Sequence, residues 1–279
     1  MPAVLNTNVA SLWASKNLLG AQSKMADSVE RLSSGLRINR ARDDAAGLGI
    51  SAALTTQING ANQGVRNLND GISMVQTAEG AIAAASDMAQ RISMLATQGA
   101  NGTFGTAERD ALIAEMTQLI AGIDSIAGRT HFSDNNLLDG TAYTIQVSST
   151  ADDSIELDAE AFADISSNGA AADLSGDIIA ADNTDVTTFT AIQTTAASYI
   201  ASLNTQRSLL GAYQNQLEYT VSNVTELAGN LSAARSRVLD TDYAAETASL
   251  TKGQILQQAA TAMLAQANQM PNVILTLLK

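Results

Sequence analysis

Apolar residues fall on a seven-residue beat at both ends of the chain. Near the N-terminus Leu5, Leu12 and Leu19 keep that step, and Leu18, Met25 and Leu32 repeat it one position over, joined by Val29 and Leu36. Near the C-terminus Leu256, Ala260, Met263, Ala267, Met270, Ile274 and Leu277 alternate steps of four and three, which places all seven on one seam of a helix. Neither segment has a partner in its own neighbourhood, so the two ends are expected to pack together. In a solitary copy both ends are expected to stay disordered until neighbouring copies add contact area, because the backbone entropy of ordering them exceeds what their own apolar burial returns.

Between the ends, a long helix is predicted from near Leu48, carried by Leu54, Ile58, Ala61, Val65, Leu68, Ile72 and Val75. The row then drifts through Ile82, Ala85, Met88, Ile92 and Leu95, as a helix does when the strict repeat is not kept. At ~1.5 Å per residue it spans roughly 70 Å, which suits a rod. Asn101, Gly102 and Gly105 interrupt it. Thr106 opens a second helix with Leu112, Met116, Leu119, Ile123 and Ile126, and Gly128 is expected to close it. After Asn135 the period changes to two. Tyr143, Ile145 and Val147, then Ile155 and Leu157 after the turn-prone Ala151-Asp152-Asp153, predict a β-hairpin. From Asp158 to Thr195 the sequence is rich in Ala, Asp, Ser and Thr and reads as a small irregular domain or a loose loop. Leu203, Leu210, Leu217, Val224, Leu231 and Val238 then restore the heptad.

Composition supports a helical rod. Of 279 residues 46% are hydrophobic but only 4% aromatic, so the interior must be Ala, Leu, Ile and Val. Proline occurs only at positions 2 and 271, which leaves long helices unbroken. The absence of cysteine excludes disulfides, thiolate metal sites and thiol nucleophiles. No run of 18 apolar residues suggests a membrane span, and the first 30 residues lack the pattern of a secretory signal. If the protein leaves the cell, another route is expected to carry it. A net charge of -13 argues against a nucleic-acid partner.

That charge is uneven. Residues 130–206 contain no Lys or Arg but 12 of the 28 acidic residues, which reads as a solvated outer surface. Calcium binding through Asp152, Asp153 and Asp158 is the sharper reading, but the alternating ligand loop with its glycine and distal glutamate is missing. Gly47-Leu48-Gly49 lacks the strand and third glycine of a phosphate loop. His131 is the only histidine and sits in a polar turn, which offers no catalytic triad, so no enzyme activity and no cofactor are expected. The methionines fall on or beside apolar stripes, and Trp13 reads as an interface anchor.

Two long motifs are more specific. Arg31-Leu32-Ser33-Ser34-Gly35-Leu36-Arg37-Ile38-Asn39, with Asp43-Asp44-Ala45-Ala46-Gly47-Leu48, resembles the N-terminal signature of bacterial flagellin. Ala233-Ala234-Arg235-Ser236-Arg237, Asp240-Thr241-Asp242-Tyr243-Ala244 and the run from Ile255 to Gln269 resemble the same family's tail, and Leu137-Leu138-Asp139-Gly140 resembles the stretch before its hairpin. The resemblance covers about residues 1–147 and 196–279.

It implies a mainly α fold: an elongated rod of long coiled-coil helices, N- and C-terminal helices paired, with a β-hairpin and a short variable outer segment. The implied domains are 1–42 and 241–279 in a coiled-coil core, 43–140 and 196–240 in a helical wall, and 141–195 as hairpin and surface. The implied function is a structural subunit that polymerises into the flagellar filament, exported by the flagellar type III system and extracellular once assembled. Its partners would be further copies of itself, the filament cap, hook-junction proteins and a flagellin export chaperone, with neither nucleic acid nor membrane. The polymerisation seam would comprise Leu5, Leu12, Leu19, Met25, Leu32, Leu256, Met263, Met270, Ile274 and Leu277. At the junction between layers Arg31, Arg37, Arg40 and Arg42 would face Asp43, Asp44, Asp240 and Asp242. Gly35, Gly47 and Gly49 would allow unusual dihedrals or close approach there. Arg91, Leu95 and Glu115 resemble the surface through which some flagellins meet a host Toll-like receptor. A hook-filament junction protein is the alternative within the same system. A surface adhesin on the acidic segment and a chemoreceptor-like rod are the alternatives outside it, and both lack the residues they need.

Overall fold

The computed structural model describes residues 7–150 and 152–277, the side chains of 270–277 excepted, so Leu5, Ala151 and the side chains of Met270, Ile274 and Leu277 lie outside the described residues. Among the described residues six α-helices account for most of the structure: α1 Val9–Ser34, α2 Ala45–Gly99, α3 Thr106–Arg129, α4 Ala172–Ile179, α5 Val186–Leu239 and α6 Tyr243–Leu277. Four short strands, β1 His131–Phe132, β2 Asn135–Asn136, β3 Tyr143–Gln146 and β4 Ser154–Leu157, lie between α3 and α4. The chain divides into two compact units, residues 1–56 with 230–279 and residues 57–229.

The second unit holds the large core. On α2 the row Leu68, Val75, Ile82, Ala85, Ile92 and Leu95 is buried, matched by Met116 and Ile123 of α3 and Leu203, Leu210 and Leu217 of α5. These side chains recur at helical spacing, so each helix offers one apolar stripe and hides it against the others. By length and a mean hydropathy of 1.2 over 18 residues, α3 is apolar enough to cross a membrane. Its stripe instead faces this core. The helix runs through Gly128 to Arg129 and is capped at Thr130, not closed by the glycine as the sequence suggested. Thr130 supplies the reason, since both its backbone N–H and its hydroxyl donate to the Ile126 carbonyl.

The predicted hairpin is present, with Tyr143 opposite Leu157 and Ile145 opposite Ile155. It seats on a bare strip of α2. The Val147 carbonyl lies where a side chain on Gly64 would stand, Ile145 rests 3.3 Å from the Cβ position of Gly71, and Asn67 Nδ2 donates to the Gln146 carbonyl at 2.9 Å. Only glycine permits a backbone to approach a helix this closely.

The Asp158–Thr195 stretch is neither a loose loop nor a separate domain. A 3₁₀ turn at Ala159–Phe162 and helix α4 carry Phe162, Ile165, Leu174 and Ile178 into the core of the second unit, while most of the acids remain at the surface. Tyr199 closes it, donating its hydroxyl to the Ile165 carbonyl at 2.8 Å, and burial pushes that phenol far above its ordinary pKa. Helix α5 begins at Val186, earlier than the heptad suggested. Its first turns are rich in threonine, whose hydroxyls bond to carbonyls four residues back, as Thr194 does to Thr190 at 3.0 Å. Arg109 is the chief residue the pattern missed. It is 5% exposed and donates to the carbonyls of Gly99, Asn101 and Asn183, which ties the α2–α3 turn to the approach to α5.

Candidate assembly surface

The first unit is built differently. Helices α1 and α6 run antiparallel: Asn8 Nδ2 donates to the Ala267 carbonyl at 2.7 Å, Ser11 Oγ donates to Asn268 Oδ1 at 3.0 Å, and Arg31 meets Glu246 at 3.6 Å at the other end. The residues buried between them are small. On α1 they are Ala14, Ala21 and Ser28, and on α6 Gly253, Ala260 and Ala267, each set one heptad apart. Leu18, Met25 and Leu32 are half-buried beside them. Gly253 would bring a Cβ within 3.5 Å of the Met25 Cβ, so the helices meet almost backbone to backbone.

The single seam expected from the sequence therefore divides in two. Ala260 and Ala267 face α1 within the chain, while Leu256 and Met263 stand 45% and 64% exposed on α6, and Leu12, Trp13 and Leu19 are more than half exposed on α1. Met25 and Leu32, grouped with the outward residues by the heptad, belong partly to the pair inside the chain. Between the helices runs an apolar groove of about 1210 Å³ lined by Trp13, Ala14, Ala21, Leu256, Ala260 and Met263, with Lys16 and Lys24 at its margin. Lys16 Nζ sits 5.7 Å from the Trp13 ring.

At the other end of the pair the chain is clipped. Gly35 caps α1 with φ +74, in the left-handed region, and its Cβ position lies 3.0 Å from Tyr243 Oη. Leu36 pairs with Asp240 as an antiparallel bridge, Arg37 N–H donates to the Leu239 carbonyl at 2.7 Å, and Thr241 N–H donates to the Gly35 carbonyl at 2.9 Å.

The expected pairing of arginines with aspartates is corrected here. Asp44 accepts from Gly47 N–H and Asp242 from Ala244 and Ala245 N–H, so both cap the helices that follow them. Asp240 acts through its backbone. Arg31 pairs with Glu246, Arg40 with Glu30 at 2.7 Å, and Arg37 with the Val238 carbonyl at 2.6 Å. Asp43 alone of these acids meets one of the four arginines, Arg42 at 3.5 Å. The Arg40 N–H, then that of Asn39 and the charges of Arg42 and Arg31, hold its carboxyl below the usual aspartate range. Gly47 lies tight against Asp44 and Ile38, whereas Gly49 faces open space and needs no special conformation.

In the second unit Arg91 Nε and Nη2 donate to Glu115 Oε1 at 2.9 and 2.8 Å on the surface of α2 and α3. Leu95 is 1% exposed and belongs to the core, so it drops out of any receptor-facing set. Helical periodicity explains the miss, since a residue four positions from an exposed arginine lies beside it on the helix yet can still point inward. Among the described residues no cluster of three or more acids or histidines converges to hold a metal ion.

Comparison with known proteins places both ends of the chain in one family. Residues 5–143 match the model of the bacterial flagellin N-terminal helical region, and residues 186–278 that of the C-terminal helical region. The chain is 40% identical over 278 residues to a flagellin of Halalkalibacterium halodurans, covering 99% of this chain and 100% of the relative. It is equally 40% identical over 286 residues to the flagellar filament 33 kDa core protein of Treponema phagedenis, with the same two coverages. A solved structure of a putative flagellar hook-associated protein from Vibrio parahaemolyticus shares the fold, with a TM-score of 0.58 and 13% identity over 71% of this chain and 100% of that one. With relatives matched from end to end and both terminal helical regions in place, the chain belongs to the bacterial flagellin family.

Proposed function

We propose that this flagellin builds the flagellar filament by laying the open faces of α1 and α6 against further copies of itself. The chain is a homopolymeric filament subunit, and the filament is extracellular. One observation carries the choice of surface. Leu12, Trp13, Leu19, Leu256 and Met263 stand in solvent around an apolar groove on helices whose mutual seam is already filled by small residues. Large apolar side chains exposed in a row mark an interface, and burying each of them contributes about 1.5–3 kcal/mol.

On this reading the subunit passes the flagellar type III channel unfolded, without a cleaved signal peptide, with an export chaperone covering the terminal helices beforehand. It then polymerises beneath the filament cap, on top of the hook-junction proteins. Nothing is catalysed, in keeping with a structural protein family. Arg91 and Glu115 are the positions offered to a host receptor, now without Leu95. The hook-filament junction alternative is set aside, because the relatives at 40% identity over their whole length are a flagellin and a filament core protein, whereas the hook-associated structure shares the fold alone at 13% identity.

The test is Leu256→Asp with Met263→Asp. Purified double variant is expected to retain the helical circular dichroism of the second unit and to lose addition to filament seeds. Filament growth at the normal rate would overturn the assignment of this surface.

A further inference from the structure

The chain has no cysteine, so its sulfur chemistry rests on methionine. Met74 and Met116 are 5% and 0% exposed in the second unit, and Met25 and Met88 are half-buried. Two others are open among the described side chains: Met94 at 56% on α2 and Met263 at 64% on α6. What sets Met263 apart is its place, lining the apolar groove beside Trp13 and Leu256. Oxidation of a thioether follows its exposure.

We propose that Met263 is an oxidation site through which peroxide blocks assembly of the free subunit. The inference rests on the reading of this groove as the seat of a second copy. In the step itself the Met263 Sδ lone pair attacks one oxygen of hydrogen peroxide. The O–O bond breaks as the S–O bond forms, and the departing hydroxide takes the proton of the transferred hydroxyl and leaves as water. Sulfur is oxidised by two electrons and the peroxide is reduced by two.

The product places a polar S–O group in a groove lined chiefly by alanine, leucine, valine and tryptophan, with Lys16, Asn17, Lys24 and Gln266 among its polar residues. A second copy seated there would strip water from that oxygen, a desolvation cost the thioether does not carry, which opposes association. Once a copy has seated, the same contact shields the thioether. Peroxide thus distinguishes free subunits from assembled ones.

Purified monomer and sheared filaments are treated in parallel with hydrogen peroxide, and sulfoxide at each methionine is followed by peptide mass spectrometry. Met263 of the monomer is expected to oxidise about ten-fold or more faster than Met74 and Met116, and about ten-fold or more faster than Met263 in filaments. Oxidised monomer should add to seeds at under about a tenth of the untreated rate, and methionine sulfoxide reductases with a thiol reductant should restore addition. For M263L, which can be oxidised only at other methionines and is compared only with its own untreated sample, peroxide should leave the rate of addition to seeds unchanged. Undiminished addition of monomer carrying sulfoxide at Met263 overturns the proposal, as does equal oxidation of Met263 in monomer and filament. If M263L itself adds poorly, M94L takes its place: with Met263 then the one open methionine among the described side chains, its addition should still be lost on peroxide treatment and restored by the reductases, and addition unaffected by peroxide overturns the proposal. Untreated wild-type monomer that fails to add to seeds overturns the underlying assembly reading instead, and the untreated arm identifies that case.

Discussion

The two units of this chain are both helical and both follow heptads, yet they put opposite residues inside. The second unit buries Phe162, Phe189, Ile82, Leu95 and Met116 and leaves few large apolar side chains in water. The first buries Ala14, Ala21, Ala260 and Ala267 and leaves Leu12, Trp13, Leu19, Leu256 and Met263 outside. An alanine returns one methyl group of burial where a leucine returns four carbons, at about 0.8 kcal/mol per carbon. A seam of small residues lets two helices approach closely but stabilises them weakly. The difference teaches that the second unit keeps most of its large apolar side chains inside itself, whereas the first leaves its largest ones in solvent, on the face proposed above for assembly.

The contrast can be broken at four points. Phe162→Ala in the second unit should lower unfolding free energy by about 3–5 kcal/mol, because the ring is fully buried and leaves a cavity. Chemical denaturation of the monomer measures this, and a change below about 1 kcal/mol would show that the core is looser than its burial implies. Gly35→Ala should cost about 1–2 kcal/mol by forcing an alanine into a left-handed turn beside Tyr243. The loss should appear as faster amide exchange across Leu36 to Thr241, with exchange in α3 unchanged.

Leu19→Ala is the sharpest comparison. It should leave monomer unfolding within about 0.5 kcal/mol of the parent, since the side chain is 65% exposed, while clearly slowing addition to filament seeds. A substantial loss of monomer stability would mean that α1 already buries this residue without a neighbour. The smallest effect concerns pH. The folded-state pKa of Asp43 is depressed, so its contribution is present above the ordinary aspartate value of about 3.9 and is lost as pH falls through the lower folded value. The Arg40 and Asn39 amide resonances should shift in that range in the parent and stay flat in Asp43→Asn.

Much of the molecule was legible before its structure. The α2 row from Leu54 to Leu95, the α5 heptad from Leu203 to Val224 and the presence of a hairpin in 143–157 all follow from side-chain period alone. The family was legible because two long motifs stood in order. Three things were not. The start of α5 at Val186 is concealed by threonines that read as loop until their hydroxyls are seen bonded to the helix itself. The buried Arg109 resembles any surface charge until three carbonyls are found around its guanidinium. Asp44 and Asp242 looked like ion-pair partners for nearby arginines, whereas both cap helices.

The sequence by itself determined which faces of each helix are apolar, because period and composition are properties of the chain. It could not say which of two adjacent apolar rows turns inward. That depends on how closely two helices approach, and the approach is limited by the smallest side chains on each. The tertiary structure decided it: Ala14, Ala21, Ala260 and Ala267 allow near contact of the backbones, and that geometry leaves the larger leucines and Met263 outside.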